Sequence, residues 1–340
     1  MAHASPAVRI AEEDAPAFVL AHLSDPHVPH RLAAWPTSMF NKRVFGFLSW
    51  RLRRVRIHRR EVLDALVHDL AHAKPDHVAV TGDVVNIALP GEFRRAGVWL
   101  RSLGAPCDVT VVPGNHDAYV AVSWERSWAA WREFMSSDAE APERSVPSVA
   151  GEGFPIVRRR GPMAVIGLST AVPTAPGRAS GLIGPAQLER LGTELRLAAA
   201  DGLFRVVLLH HPPIAPEIPW HKRLIDAADL GRVIADAGAE LLLHGHEHRF
   251  RFAELAGPNG GVAVYGVPSA SMLPRHDGGR AAQYHLHHIH RRDGGWLVRT
   301  RVRTYDRGHG RFVEGHRLEV PVPGAGTAFA PPYSTPGAGV

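Results

Sequence analysis

Five short clusters of side chains in this chain could hold metal ions and move protons. They are Asp25 with His27, Asp83, Asn115-His116-Asp117, His210-His211, and His246 with His248. Together they offer carboxylate, amide oxygen and imidazole, and no thiolate. Mixed nitrogen and oxygen donors suit Mn, Fe, Zn, Ni or Co, whereas a structural zinc clip usually uses Cys. Asp25 and His27 are one residue apart, so at an extended strand end both side chains point to one side. The same parity holds for His246 and His248. Singly, each cluster is ordinary. Asn-His-Asp after Pro113-Gly114 is also good turn chemistry, and any one of 22 histidines is more often a surface or core residue than a ligand. As a set, these donors are too many for one tetrahedral ion and suit two ions sharing one carboxylate.

The elements that must position them follow from hydrophobic periodicity. Apolar runs at Phe18 to Leu23, His77 to Val80, Val109 to Val112, Met163 to Leu168, Phe204 to Leu209 and Ala239 to Leu243 read as buried strands. Between them, Glu61 to Ala73, Gly91 to Leu103, Pro185 to Ala200 and Leu224 to Ala237 have helical spacing. Trp124, Trp128, Trp131 and Phe134 also lie at helical spacing, as a core stripe, and Ser136 to Gly153 reads as a loop. After Phe250, strands at Phe250 to Leu255, Val262 to Val267, Gln283 to Ile289 and Trp296 to Val302 follow one another with turns and no helix. The pattern predicts one α/β domain with largely parallel central strands. In such folds ligands gather at the carboxyl ends of the strands, where all five clusters fall.

Composition narrows the class. The 340 residues, 45% hydrophobic and 21% charged, suit a globular protein. The net charge of +6 is mild for the length. One cysteine, Cys107, excludes an internal disulfide framework. Residues 1–16 are acidic without an apolar core, so they read as a flexible lead and not a secretory signal. No run of 18 apolar residues suggests a spanning helix. A cytoplasmic protein is expected, with a single domain over 17–318 and a loose Pro/Gly/Ala-rich tail over 319–340. Residues 31–60 are less bland. No acid stands between Asp25 and Glu61, while Lys42, Arg43, Arg51, Arg53, Arg54, Arg56, Arg59 and Arg60 alternate with apolar residues. The plain reading is a helix packed on the body with a solvated basic face. The functional one is an insert whose residues 36–60 lie on an anionic membrane surface.

In order and in strand-end context, Asp25-x-His27, Gly82-Asp83, Gly114-Asn115-His116-Asp117, His210 and Gly245-His246-x-His248 resemble the calcineurin-like metallophosphoesterases. The resemblance spans roughly residues 18 to 270. It implies a four-layer αββα sandwich of two mixed sheets flanked by helices, and two divalent metal ions. Asp25, His27 and His248 would hold the first ion; Asn115, His210 and His246 would hold the second, with Asp83 bridging them. His210 is preferred to His211 because the family's ligand histidine precedes the proline by two positions. A metal-bridging hydroxide would attack phosphorus while His116 protonates the leaving alkoxide. Asp117 would orient His116. Gly82, Gly114 and Gly245 would let backbone approach the metals.

The expected activity is hydrolysis of a small phosphoester, diester or pyrophosphate. A cyclic-nucleotide phosphodiesterase and a hydrolase of a lipid-linked pyrophosphate, similar to the UDP-diacylglucosamine hydrolases, are the competing substrates. A nuclease ranks third, since no nucleic-acid module accompanies the basic charge. A non-catalytic scaffold ranks last, because every ligand is present. His285, His287, His288 and His290 invite a second metal site, but their alternation with Tyr284 and Leu286 reads instead as an exposed strand face. His244 turns to the core and Glu247 to solvent. Asn86 either bonds near the metals or caps the turn before Pro90.

Overall fold

The computed structural model of the chain describes residues 17–30, 42–44, 46, 55–138, 153–214, 218–274 and 280–323. The strands in chain order are β1 (Phe18–Leu23), β2 (His77–Val80), β3 (Val109–Val111), β4 (Ile156–Arg160), β5 (Met163–Gly167) and β6 (Phe204–Leu208). They continue with β7 (Leu241–His244), β8 (Arg251–Gly257), β9 (Gly260–Gly266), β10 (Gln283–Arg292), β11 (Gly295–Asp306) and β12 (Arg311–Pro323). Four longer helices accompany them: α1 (Arg60–Ala73), α2 (Pro90–Arg101), α3 (Pro185–Ala200) and α4 (Ala227–Ala237). One sheet runs β12-β11-β10-β1-β2-β3 and the other β4-β5-β6-β7-β9-β8. The central pairs are parallel: β1 with β2, β2 with β3, β5 with β6, β6 with β7, and β7 with β9.

The period-two alternation of these strands sorts side chains into three apolar layers. Ala21 and Leu23 of β1 pack with Leu63 and Leu66 of α1 and Phe93 of α2. Leu20, one residue out of phase, packs with Val165, Val206 and Leu241 between the two sheets. Ile166, Val207 and Leu242 pack on the far side with Leu191 of α3 and Ile234 of α4. Helix, sheet, sheet, helix is the four-layer sandwich expected from the sequence.

Several boundaries differ from the sequence reading, each for a physical reason. The strands β4 and β12 were hidden by charge: β4 carries Arg158 to Arg160, and β12 alternates charged residues with Phe312 and Val320. Both are edge strands, which can leave one side in water. The strand β12 runs to Pro323, past the expected domain end at residue 318, because an edge strand tolerates Pro321 and Pro323. The tryptophan stripe is two 3₁₀ segments, Trp124–Arg126 and Trp128–Phe134, whose Trp128, Trp131 and Phe134 are fully buried. Residues 1–16 and 324–340 lie outside the described residues, as does most of the basic segment 31–60 with its membrane reading. Its described Lys42 and Arg43 face the body. Lys42 Nζ donates to the Thr174 carbonyl at 3.0 Å, and Arg43 Nε to the Ile87 carbonyl at 3.0 Å. Among the described residues no helix is long and apolar enough to cross a membrane.

The histidines of β10 overturn a further expectation. His285 and His287 are fully buried, not exposed, since β10 lies between β1 and β11 with a layer on either side. Tyr284 and Leu286 take the helix side, which leaves the histidines facing the second sheet.

Buried neutral histidines make the fold acid-sensitive. Burial, then Arg160 and Arg158, lowers His77 to about 3; burial lowers His244 to about 4. Both titrate near 6.5 when unfolded, so the unfolded chain binds more protons below that pH. Their contribution to stability is therefore complete above pH 6.5 and lost as the pH falls toward 4. Each histidine contributes a slope of about 1.4 kcal/mol per pH unit in that window. Urea midpoints measured from pH 7.5 to 4.5 should fall steadily; a flat profile would contradict the neutral buried state.

Candidate metal centre

Each of the five clusters stands just past the carboxyl end of a parallel strand: β1, β2, β3, β6 and β7. The two sheets bring these ends together. Among the described residues, positive φ at a non-glycine occurs at Asp25, His27, Lys74, Asp83, Ala88, His246 and His248. Five of these are expected metal ligands. Such backbone costs on the order of 1–3 kcal/mol per residue and persists where surrounding structure enforces it. It also corrects the parity argument. Asp25 and His27 share a site through left-handed bends at φ 52° and 40°, not through an extended strand end.

Hydrogen bonds to backbone carbonyls fix which ring nitrogen of His27, His210 and His246 faces the cluster. His27 donates from Nδ1 to the Val85 carbonyl at 3.2 Å, and His210 from Nδ1 to the Thr81 carbonyl at 2.7 Å. His246 donates from Nε2 to the Lys222 carbonyl at 3.0 Å. The remaining lone pairs then crowd one another. His246 Nδ1 stands 2.9 Å and His210 Nε2 3.1 Å from Asn115 Oδ1. His210 Nε2 is also 3.4 Å from Asp83 Oδ2, and His27 Nε2 is 3.4 Å from His248 Nε2. His248 Nε2 reaches Asp25 Oδ1 at 3.0 Å. Acceptors facing acceptors at this range repel unless positive charge lies between them. The donor set fits divalent cations.

A proton can take the place of that positive charge at one ligand: burial opposes charge on His210, but Asp83, its hydrogen bond and Asp25 raise it to about 9, and a bound cation would replace that proton. Burial works to raise Asp83, yet His210 and His116 hold it well below the usual carboxylate range. Burial, then His210, lowers His246 to about 3, so its imidazole is neutral. Of the histidine doublet, His210 turns into the cluster. His211 turns away, with Nδ1 2.7 Å from Thr170 Oγ1 and Nε2 3.1 Å from the Ala179 carbonyl.

Two close approaches explain the glycines. A Cβ on Gly114 would lie 2.3 Å from Asp83 Oδ1, and one on Gly245 would lie 2.5 Å from Asp25 Oδ2. A side chain at either position would displace a donor.

His116 sits beside the donors. Its backbone N–H donates to Asp83 Oδ1 at 2.7 Å, and its ring donates from Nδ1 to the Asn86 carbonyl at 2.5 Å. Asn86 thus acts near the site through its backbone, while its own N–H bonds Glu92. The ring also stacks on Tyr119 at 5.5 Å, and Lys42 Nζ lies over the other ring at 4.6 Å. Asp117 does not orient His116 directly, as the sequence reading had it. Its oxygens accept the N–H groups of Val85 at 2.9 Å and Gly114 at 2.8 Å, so it fixes the two loops that carry Asp83 and Asn115. Burial, then Asp83, raises its carboxyl to about 8.

The sequence reading missed His58. It lies in the basic segment, where it reads as one more residue on a polar face. Folded, its ring centre is 4.5 Å from that of His27, and Nδ1 is 2.8 Å from Ser271 Oγ. The cluster opens into a cleft of about 490 Å³ lined by Asp83, Asn115, His116, His246, His248 and, at its rim, Lys222 and Arg280. Glu247, expected in solvent, also lines this cleft and pairs with Arg251 at 3.2 Å. His244 is buried, as expected.

This two-sheet sandwich with its cluster of carboxylate, amide and imidazole donors defines a protein built to hold divalent cations at its strand ends. A model of the calcineurin-like phosphoesterases matches residues 18–250, and the chain belongs to that family. It is 28% identical over 253 residues to a cAMP/cGMP dual specificity phosphodiesterase of Mycobacterium tuberculosis, covering 71% of this chain and 65% of that protein's length. It is also 28% identical over 255 residues to a probable cyclic nucleotide phosphodiesterase of Rhodococcus erythropolis, covering 74% and 71% of the two chains. The crystal structure of a dimetal phosphatase from Danio rerio superposes with a TM-score of 0.57 at 13% identity, over 91% of this chain and 100% of that one. That likeness shows the shared fold.

Proposed function

We propose that the chain is a dinuclear phosphodiesterase acting on a small phosphodiester of the cyclic-nucleotide class. The observation that carries this reading is the ring of facing lone pairs around Asp83. Asp25, His27 and His248 form one half of the ring; Asn115, His210 and His246 form the other. Asp83 Oδ2 stands between them, 4.0 Å from His27 Nε2 and 3.4 Å from His210 Nε2. Bound there, two divalent ions supply an activated water and neutralise the phosphate oxygens.

The chain's own groups do the rest. His116, held through Nδ1 by the Asn86 carbonyl, protonates the departing alkoxide from Nε2. The same carbonyl stabilises the charged imidazole before transfer. Lys222 and Arg280 at the cleft rim attract the anionic substrate. The similarity to two proteins named as cyclic-nucleotide phosphodiesterases favours cyclic nucleotides over lipid-linked substrates.

A substrate panel tests the reading. With Mn, Fe, Zn or Ni added, the protein should hydrolyse bis-p-nitrophenyl phosphate, cAMP and cGMP, and chelation should stop turnover. Hydrolysis of monoesters alone, or turnover indifferent to chelation, would overturn it.

A further inference from the structure

We propose that His22, His285 and His287 form a second, fully buried metal site, for a single zinc-class ion, separate from the cleft. The register places them together. His22 of β1 pairs with His285 of β10, and His287 lies two residues further along the same face. That face looks into the layer between the sheets, beside Leu20 and Tyr265. All three side chains are fully buried.

Their rings form a nearly equilateral triangle, with centres 6.0, 6.2 and 5.8 Å apart. Each ring offers a nitrogen, and the three nitrogens lie within 4.8 Å of one another. Three imidazoles on one tetrahedral ion at about 2.0–2.1 Å per bond put their ring centres roughly 5 Å apart. Closure therefore needs a movement on the order of half an ångström per ring.

The hydrogen bonding is what points to an occupant. His22 Nε2 is 2.9 Å from Thr81 Oγ1, and His287 Nδ1 is 2.9 Å from Thr300 Oγ1. The opposite nitrogens, His22 Nδ1 and His287 Nε2, are buried without a partner, as are both nitrogens of His285. Orphaned buried polar atoms are rare, and four in one place call for something that binds them. For His22 and His287, one outer partner with the other nitrogen turned inward is how metal-binding histidines are held. Burial keeps all three imidazoles neutral, the form that binds metal. Neutral nitrogen donors without carboxylate select a late first-row ion over Mg or Ca. With no exposed ligand, the ion enters as the sheets close, and its role is structural. Thr81 links the site to the catalytic centre, its hydroxyl meeting His22 and its carbonyl holding His210.

The test uses the full chain produced with zinc and dialysed against a chelator that strips the open cleft. Metal analysis should then find one ion per chain in the native protein and in Asp83→Asn, and none in His285→Leu. His285→Leu should also melt at lower temperature than the native protein. Refolding Asp83→Asn with Co(II) should give the intense visible bands of tetrahedral cobalt, which carries the test if His285→Leu fails to fold. No retained ion in the native protein, or equal retention in His285→Leu, would overturn the proposal. So would a refolded Asp83→Asn without tetrahedral bands, or a higher melting temperature for His285→Leu. Because Asp83→Asn disables only the cleft, its result separates this site from the dinuclear reading.

Discussion

Asp83→Asn is expected to lose metal-dependent phosphodiester hydrolysis by about three orders of magnitude while remaining folded. The substitution keeps an oxygen at the position that accepts the His116 N–H at 2.7 Å. It removes the one negative charge that lies between the two halves of the donor ring. Charge stabilisation by the metal pair is worth several kcal/mol, and each 1.4 kcal/mol or so is tenfold in rate. Stability should fall as well. Burial works against the Asp83 carboxylate, yet His210 and His116 hold it well below the usual range, and against burial Asp83 in turn raises His210 to about 9, which outweighs its repulsion with buried Asp117. The metal-free variant should therefore melt lower than the metal-free native protein. Its melting temperature should no longer rise with metal added to the folded protein, because the cleft then no longer binds that metal in the folded state preferentially. Native-like metal stabilisation in the variant would show that Asp83 is not shared.

His116→Ala should behave differently. No lone pair of the donor ring belongs to His116, so bound metal should be unchanged. The rate on cyclic nucleotides should fall on the order of 10²–10⁴-fold, the usual worth of a positioned proton donor. The loss should depend on the leaving group. An alkoxide needs a proton as it departs, whereas p-nitrophenolate does not. Hydrolysis of bis-p-nitrophenyl phosphate should therefore suffer far less than hydrolysis of cAMP. An equal loss on both substrates would make His116 a group that binds phosphate, not one that protonates the leaving group.

The fold was legible where apolar runs were long and uninterrupted. The strands β1, β2, β5, β6 and β7 are buried on both faces, and nothing in their sequences competes with that reading. Edge strands β4 and β12 were not legible, because Arg158 to Arg160 and the charges of β12 look like loop residues until a neighbouring strand supplies the other half of the ladder. The donors of the site were legible because five clusters fall at strand ends in one order. Their geometry was not. The left-handed bends at Asp25, His27, His246 and His248 follow from tertiary packing that no local spacing encodes. Asp117 shows the same limit. A carboxylate next to a histidine in sequence suggests a pair, but the turn sends it to the amides of Val85 and Gly114. His58, His285 and His287 were obscured by neighbours that made each look like a residue on a polar face. Only the register of β1 with β10 reveals that two of them face His22.

The central claim is that two ions share Asp83. Anomalous diffraction from crystals equilibrated with Mn(II) tests it most directly. The expected result is two manganese peaks in the cleft, one among Asp25, His27 and His248, the other among Asn115, His210 and His246, with Asp83 touching both. A single peak in the cleft, or two peaks of which only one contacts Asp83, would contradict the account.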